Sequence, residues 1–535
     1  MTLKSLLLAS GALALSAPAS LAFTLNILHV NDQHSRIESV TKTDSSCNAE
    51  GEAAGECFGG AARVKAAVEA ARDKLAAAGE PVIVLDAGDE FSGSLFFTTF
   101  SGAAEVEMLN RLGVDAMALG NHEFDRGPGT LADFVEKADF PVLFGNVDAS
   151  GDNRLGPLGE DWVVLDVGGE KVGIISGLTQ ETAEISSPGP SVKFGDVNAH
   201  LAEAVKALEA QGVKHIIALT HQGDVADFAT AAAAPGIDAI VGGHSHTLFS
   251  NTIDGAAHPY PVMVKGPGGV EVPVVQAGSY SKYLGHLRLE FDDAGVVTAA
   301  SGDATLLDKA VTPDPDTAAR IAEMRAPIAA LMEQVVAEVS APVDGSRETC
   351  RAGECQMGNL VAEAMLDRVK GQGVVIALQN GGGLRASIDG GPVTKGEVLT
   401  VLPFQNTLST FNIPGSAVVA ALENGVSQVE EGGGRFPQVA GLRFTWDPSV
   451  APGQGRIKSV EVREGDAWAP IDPAKTYAAV TNNFMRNGGD GYSALRDQGT
   501  NAYDYGPGLE DVLEDYLVAQ GKYEPFTDGR IKKAE

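Results

Sequence analysis

The sequence predicts an α/β protein of two domains joined by a helix, and three observations carry that prediction. Short apolar strands alternate with amphipathic helices from Thr24 to about Asp292, the pattern of a layered α/β domain. A second series of helix and strand signals opens at Met357, beyond a Pro-Asp-Pro-Asp stretch at 313–316. At 535 residues the chain is also too long for one hydrophobic core. The expected division is 1–22 as a signal peptide, 23–310 and 343–535 as domains, and 311–342 as the linker helix.

The amino terminus carries Lys4, an apolar run from Leu6 to Leu15 and a small-residue cleavage site at Ser20-Leu21-Ala22. That run is too short for a membrane span, so a cleaved export signal is expected, with a periplasmic or secreted product. The carboxyl terminus, Gly529 to Glu535, lacks the apolar tail of a lipid-anchor signal, so no membrane anchor is expected. A net charge of −32 argues against a nucleic-acid polymer or an anionic membrane as the main partner. A bound phosphate would need a local positive site, which metals and a few arginines could supply. Four cysteines form two close pairs, Cys47 with Cys57 and Cys350 with Cys355. In an exported chain such spacing predicts two disulfides. The competing arrangement, one zinc held by four thiolates, is opposed by the distance between the pairs.

The first domain reads as follows. Thr24–Val30 is a strand ending in Asn31-Asp32-Gln33-His34, and Arg63–Ala78 is an Ala-rich helix. Pro81–Leu85 is a strand running into Asp86-Ala87-Gly88-Asp89. A helix over Glu105–Leu112 precedes the apolar run Ala116–Leu119, which ends in Gly120-Asn121-His122-Glu123-Phe124-Asp125. Pro141–Phe144 is a further strand and His200–Gln211 a helix. Lys214–Leu219 runs into Thr220-His221, and Asp238–Val241 into Gly242-Gly243-His244-Ser245-His246. Val262–Val264, Val272–Gln276 and Leu284–Phe291 complete the strands, the last with the alternation of a half-buried sheet.

The polar residues at these strand ends form a donor set. Asp32 and His34, two apart, point to one face of extended chain. Asp89 follows a glycine that permits close backbone approach. Asn121, His221, His244 and His246 add an amide and three imidazoles. Mixed N/O donors without thiolate suit Zn²⁺, Mn²⁺ or Co²⁺ better than Ca²⁺ or Mg²⁺. One ion would be over-coordinated; two divalent metal ions sharing Asp89 as a bridge would not. A single strand-end Asp or His is more often a cap or a satisfied polar group. Five strand ends converging on one sheet edge alter that balance, and five of the 10 histidines fall there. His29 reads as core, and His200, His215, His258 and His286 as structural.

In the second domain, Pro313–Val339 reads as a capped amphipathic helix, the linker. The alternative is a last helix packed on the first domain. Met357 to Val369 is helical, and Val374–Leu378 is a strand ending in Asn380-Gly381-Gly382-Gly383-Leu384-Arg385. The glycines let an anion approach backbone N–H groups, with Arg385 beside them. Val398–Leu402 reads as a strand before Pro403-Phe404, and Tyr477–Asn483 as one before Phe484. Two aromatics at strand ends can sandwich a flat base; core packing is the plain alternative for either alone.

Asp32-x-His34, Gly88-Asp89, Gly120-Asn121-His122-Glu123, His221 and Gly242-Gly243-His244-Ser245-His246 together resemble the motifs of calcineurin-like metallophosphoesterases. The resemblance implies a four-layer α-β-β-α sandwich with a dinuclear site. Asp32, His34, Asp89 and His246 would hold one ion; Asp89, Asn121, His221 and His244 would hold the other. At His246 such enzymes often carry Gln or Asn. Cys350-Arg351-x3-Cys355, Asn380-Gly-Gly-Gly-Leu-Arg385, Pro403-Phe404 and Phe484-x3-Gly488-Gly489-Asp490-Gly491-Tyr492 resemble the carboxyl-terminal domain of the 5′-nucleotidase family. That likeness implies Phe404 and Phe484 on the nucleobase, Asp490 on the ribose, and Arg351, Asn380 and Arg385 on the phosphate. The expected activity is hydrolysis of nucleoside 5′-phosphates, with nucleoside diphosphates, UDP-sugars or dinucleotides as further substrates. His122, oriented by Asp125, would stabilise charge on the phosphoryl and leaving groups. Two alternatives are a 2′,3′-cyclic nucleotide phosphodiesterase with 3′-nucleotidase activity and a nucleotide-binding scavenger without turnover. A relative acting on sulfur-linked substrates is opposed by the two phenylalanines.

Overall fold

The computed structural model describes residues 23–534 except 43, 45, 405, 466 and 505. The expected signal peptide, 1–22, lies outside the described residues.

The first half of the chain builds two six-stranded sheets. The first runs in the order Val297–Leu306, Tyr283–Phe291, Phe23–Val30, Val82–Asp86, Ala116–Ala118, Val142–Leu143, and its last four strands are parallel. The second runs Val262–Lys265, Glu271–Val275, Ala239–Gly242, His215–His221, Glu170–Leu178, Trp162–Val167, with its four inner strands parallel. Parallel strands covered on both faces need unbroken apolar sequence. His215–His221 is accordingly buried at every position. Leu25, Ile27 and Leu85 of the first sheet share one core with Ile174, Ile217 and Ile240 of the second, so the sheets pack face to face. Helices Ala61–Ala78, Ala103–Leu112 and Gly127–Val135 cover the outer face of the first sheet. Val197–Ala210 packs Leu201, Val205 and Leu208 against the second. This is the expected four-layer α-β-β-α sandwich.

The second half centres on a five-stranded mixed sheet, ordered Pro437–Ala440, Ile376–Asn380, Thr476–Asn482, Leu408–Pro414, Thr500–Tyr503. Its two faces are served by alternate residues. Ala377 and Val480 pack with helix Gln356–Arg368, while Ile376 and Leu378 pack with helix Gly415–Gly425.

Two sequence expectations are corrected here. The single linker helix over 311–342 does not form. A helix over Pro315–Arg325, capped by Asp314, ends ahead of Pro327, which has no backbone N–H to bond the Glu323 carbonyl and carry the helix on. Ile321 and Met324 pack on Phe96, Ala104 and Met108, so this helix belongs to the first half. Val335–Val339 is a strand between Gly391–Thr394 and Lys522–Tyr523, as its β-branched content favours. The strand expected at Val398–Leu402 is instead a helix, Lys395–Val401. Its start is encoded as Thr394-x-x-Glu397, a capping box whose two reciprocal bonds both form.

Candidate active site

Five parallel strands of the sandwich end at one edge, which faces the second half of the chain. Asp32 and His34, Asp89, Asn121 and His122, His221, and His244 and His246 meet there. Three sets of ligand atoms each lie within 4.8 Å of one another: Asp32, His34 and His246; His34, Asp89 and His122; Asp89, His221 and His244. Asp89 belongs to two of them, its Oδ2 standing 3.0 Å from His221 Nε2 and 3.7 Å from His34 Nε2. Asp32 Oδ1 lies 3.2 Å from His246 Nε2. Asn121 Oδ1 lies 2.8 Å from His244 Nδ1.

The backbone is strained to bring them together. Asp32, His34, Asp89, His244 and His246 have φ of 51°, 50°, 63°, 80° and 60°, the left-handed region that side chains avoid at about 1 kcal/mol or more each. Glycine is required beside them at two positions. A Cβ on Gly120 would stand 2.3 Å from Asp89 Oδ1, and one on Gly243 would stand 2.8 Å from His221 Nδ1.

The donor chemistry fits divalent cations. His34 Nδ1 lies 3.1 Å from the Phe91 carbonyl, and His221 Nδ1 lies 2.6 Å from that of Ala87. Only an N–H can bond a carbonyl, so in the neutral ring each Nε2 turns a lone pair to the cluster. The His221 Nε2 is buried with no hydrogen-bond partner, 3.0 Å from a carboxylate oxygen. That arrangement is repulsive until a proton or a metal cation stands between them. Burial holds His34, His244 and His246 well below the usual imidazole range, which disfavours protons on them. Burial also pushes Asp32 up to about 6, against the pull of His221. Carboxylates and neutral imidazoles gathered in this way are balanced by metal ions.

His122 is placed differently. Its Nδ1 lies 2.7 Å from Asp125 Oδ2, and its backbone N–H donates to Asp89 Oδ1 at 2.8 Å. Burial lowers its pKa, but the Asp125 and Asp89 carboxylates outweigh burial and leave it raised. Asp125 also accepts from Ser92 Oγ at 2.5 Å and from Ser186 Oγ at 2.8 Å.

A cavity of about 540 Å³ separates this edge from the second half. Its far wall carries Arg351, Asn380, Arg385, Phe404, Phe484 and Asp490. Arg351 stands inside the loop closed by Cys350–Cys355, and Cys47–Cys57 is likewise bonded. Arg351 and Arg385 are 8% and 6% exposed, and the Nε of each is buried without an acceptor. No carboxylate of the described residues forms a salt bridge with either. Burial, together with Arg347 and Arg385, holds the Arg351 guanidinium well below its usual range. Arg351 Nη1 donates to the Gly432 carbonyl at 3.3 Å, and buried guanidinium groups that meet no carboxylate mark a place for an anion. Arg385 Nη2 lies 3.0 Å from His34 Nε2, which joins this wall to the donor cluster. Asn380 donates from Nδ2 to Asp490 Oδ2 at 2.6 Å. The Phe404 ring stacks on the His122 imidazole, centroids 5.5 Å apart at 16°. Phe404 follows a helix, not the strand expected, while Phe484 does follow the strand Thr476–Asn482.

Two residues enter the site without a sequence expectation. Arg347 lines the cavity one helical turn before Arg351, and that i, i+4 pair of arginines is the available signal. Glu123 accepts the backbone N–H groups of Asp89, Glu90, Phe91 and Gly120 at 2.7–3.1 Å, tying two ligand loops into one body. No local pattern marks a carboxylate that serves a loop some thirty residues away.

The chain is similar to known proteins over both of its halves. The family model for calcineurin-like phosphoesterases matches residues 25–248, and that for the 5′-nucleotidase carboxyl-terminal domain matches 335–497. A snake venom 5′-nucleotidase of Gloydius brevicauda is 35% identical over 98% of this chain and 92% of its own length. The crystal structure of a 5′-nucleotidase precursor from Thermus thermophilus is 42% identical, with a TM-score of 0.90, over 96% of this chain and 99% of that one. The NAD nucleotidase of Haemophilus influenzae is 28% identical, with a TM-score of 0.56, over 95% and 99%.

Proposed function

The chain belongs to the 5′-nucleotidase family, a family of metallophosphoesterase hydrolases, and from that premise we propose that it cleaves nucleoside 5′-monophosphates to nucleoside and phosphate. The observation that carries this reading is the opposition, across one cavity, of a metal-type donor cluster and buried arginines without a carboxylate partner, flanked by two phenylalanines.

In this reading Asp32, His34, Asp89 and His246 hold one divalent cation and Asp89, Asn121, His221 and His244 a second, with zinc, manganese or cobalt suited to the donors. When bound, such a pair polarises phosphoryl oxygens and acidifies the attacking water. The protein's own groups do the rest. Arg347, Arg351 and Arg385 hold the phosphate, with Asn380 beside them, and are neutralised by it. Phe404 and Phe484 take the base, the former leaving its contact with His122, and Asp490 accepts from the ribose hydroxyls. His122 shares its Nδ1 proton with Asp125 and presents Nε2–H to the phosphoryl and leaving oxygens, where charge develops. Asp125 holds the doubly protonated ring in that orientation. In this reading the boundary between the domains falls between the helix Ala329–Met332 and the strand Val335–Val339.

An exported location is part of the proposal. Two disulfides suit an oxidising compartment, and no helix of the described residues is long and apolar enough to cross a membrane.

The test is phosphate release by metal-reconstituted protein from 5′-AMP, 3′-AMP and 2′,3′-cyclic AMP, with ADP, a UDP-sugar and NAD in parallel. Preference for 5′-AMP is expected. Faster release from the cyclic or 3′ substrate would move the chain to the phosphodiesterase reading, and binding without release to the scavenger one.

A further inference from the structure

The His122–Asp125 pair is held from outside its own motif, by a segment that also touches the other domain. Residues 179–187 leave the strand Glu170–Leu178 and form a short helix, Thr182–Ile185. The base of the segment is rigid: the Thr179 N–H donates to the His221 carbonyl at 2.9 Å, and the buried Thr182 hydroxyl donates to the Thr179 carbonyl at 2.7 Å. At its far end Ser186 Oγ donates to Asp125 Oδ1 at 2.8 Å. The other Asp125 oxygen, Oδ2, is already shared by Ser92 Oγ and His122 Nδ1. Ser186 therefore holds the oxygen that nothing else in this set holds, and so fixes the carboxylate plane that aims the imidazole.

The same segment reaches across the cavity. Glu181 Oε1 accepts from Gln428 Nε2 at 2.8 Å, and the helix Thr182–Ile185 packs on the turn Gly489–Gly491 that carries Asp490. Asp490 is itself fixed by Asn380 Nδ2 and, at its carbonyl, by Asn424 Nδ2 at 3.0 Å. One short element thus contacts the wall proposed to take the nucleoside at one end and the carboxylate behind His122 at the other.

We propose that Ser186 is a positioning residue for the Asp125–His122 pair, and that its placement is coupled to the nucleoside-side domain through the Glu181–Gln428 contact and the Asp490 turn. This rests on the nucleotidase reading above. With the domains apart, the segment loses its outer support and Asp125 loses one of three donors. When they close, the imidazole is locked in the orientation from which it donates to the leaving oxygen. The device confines full activity to the closed form.

The experiment uses the full metal-loaded chain and two substrates, 5′-AMP with its poor alkoxide leaving group and p-nitrophenyl phosphate with a good one. Ser186→Ala is expected to lower kcat on 5′-AMP about 10- to 150-fold, the range for one hydrogen bond to a charged group, with KM within about twofold. On p-nitrophenyl phosphate, which needs little help at the leaving oxygen, the loss should be under about threefold. A merely structural role would depress both substrates alike, and that result, or an unchanged kcat on 5′-AMP, overturns the proposal. Gln428→Ala is expected to lower kcat on 5′-AMP in the parent and to have little further effect in the Ser186→Ala background. Independent, multiplying losses would overturn the coupling. Parent protein that releases no phosphate from 5′-AMP would instead refute the nucleotidase reading itself.

Discussion

His122 shows how much one side chain reveals before any coordinates exist. It follows Asn121, which in the proposed donor set already supplies an oxygen, and that would leave the imidazole free for chemistry. The partner expected from the sequence, Asp125, stands 2.7 Å from its Nδ1. His122→Asn is expected to leave bound metal, measured by elemental analysis, unchanged and to cut turnover roughly 10²–10³-fold, the range for loss of one aimed donor. Unaltered turnover would remove this residue from the mechanism. His29 is the opposite case, a histidine that the sequence places in the core. It is fully buried against Tyr260 Oη at 2.8 Å, and burial pushes it down to about 3. Because the folded pKa is depressed below the unfolded value near 6.5, folding favours the neutral ring. Its contribution is complete above pH 6.5 and is lost as pH falls toward 3. Urea unfolding of the parent and His29→Gln should therefore show a stability gap that narrows by roughly 2 kcal/mol between pH 6.5 and 5. A gap constant over that range would mean the imidazole is not held neutral.

Elements are legible where period and length speak together, and poorly so where chain punctuation competes with hydrophobicity. The buried strand His215–His221 and the helix Ala61–Ala78 agree with expectation because one is built on the apolar run Ile216–Leu219 and the other on a long Ala-rich run. Lys395–Val401 resembles a strand in sequence because Val398, Leu399, Val401 and Leu402 are apolar and β-branched in part; the capping box at Thr394 carries the decisive information. The span 313–339 has the outward pattern of one helix only while Pro327 is not weighed as a break. Its surviving helix is not a free spacer. Ile321→Ala should cost about 2–4 kcal/mol of stability, the usual penalty for truncating a core aliphatic side chain. An effect below about 0.5 kcal/mol would show the helix to be a loose connector.

The whole molecule is two domains enclosing a single chemical task. Donor cluster and arginines meet across the cavity, through Arg385 and His34 at 3.0 Å and through Arg36 Nη2 donating to the Arg385 carbonyl at 3.4 Å. With walls from both halves, substrate entry and product release call for the halves to part. Joining Glu181→Cys to Gln428→Cys with a short bifunctional thiol reagent should reduce turnover at least tenfold relative to the same variant left unlinked. Full activity in the linked protein would show that release needs no such opening.

Strand ends, glycines and the order of Asp, Asn and His residues are local facts, so the sandwich and the candidate donors gathered at its edge could be named from the chain directly. The carboxylate of Glu123 under the Asp89 loop, the stacking of Phe404 on His122 and the reach of Ser186 to Asp125 could not. Each is a contact between segments far apart in the chain, chosen by how two sheets and two domains pack, and packing at long range leaves no periodic trace in a linear string of residues.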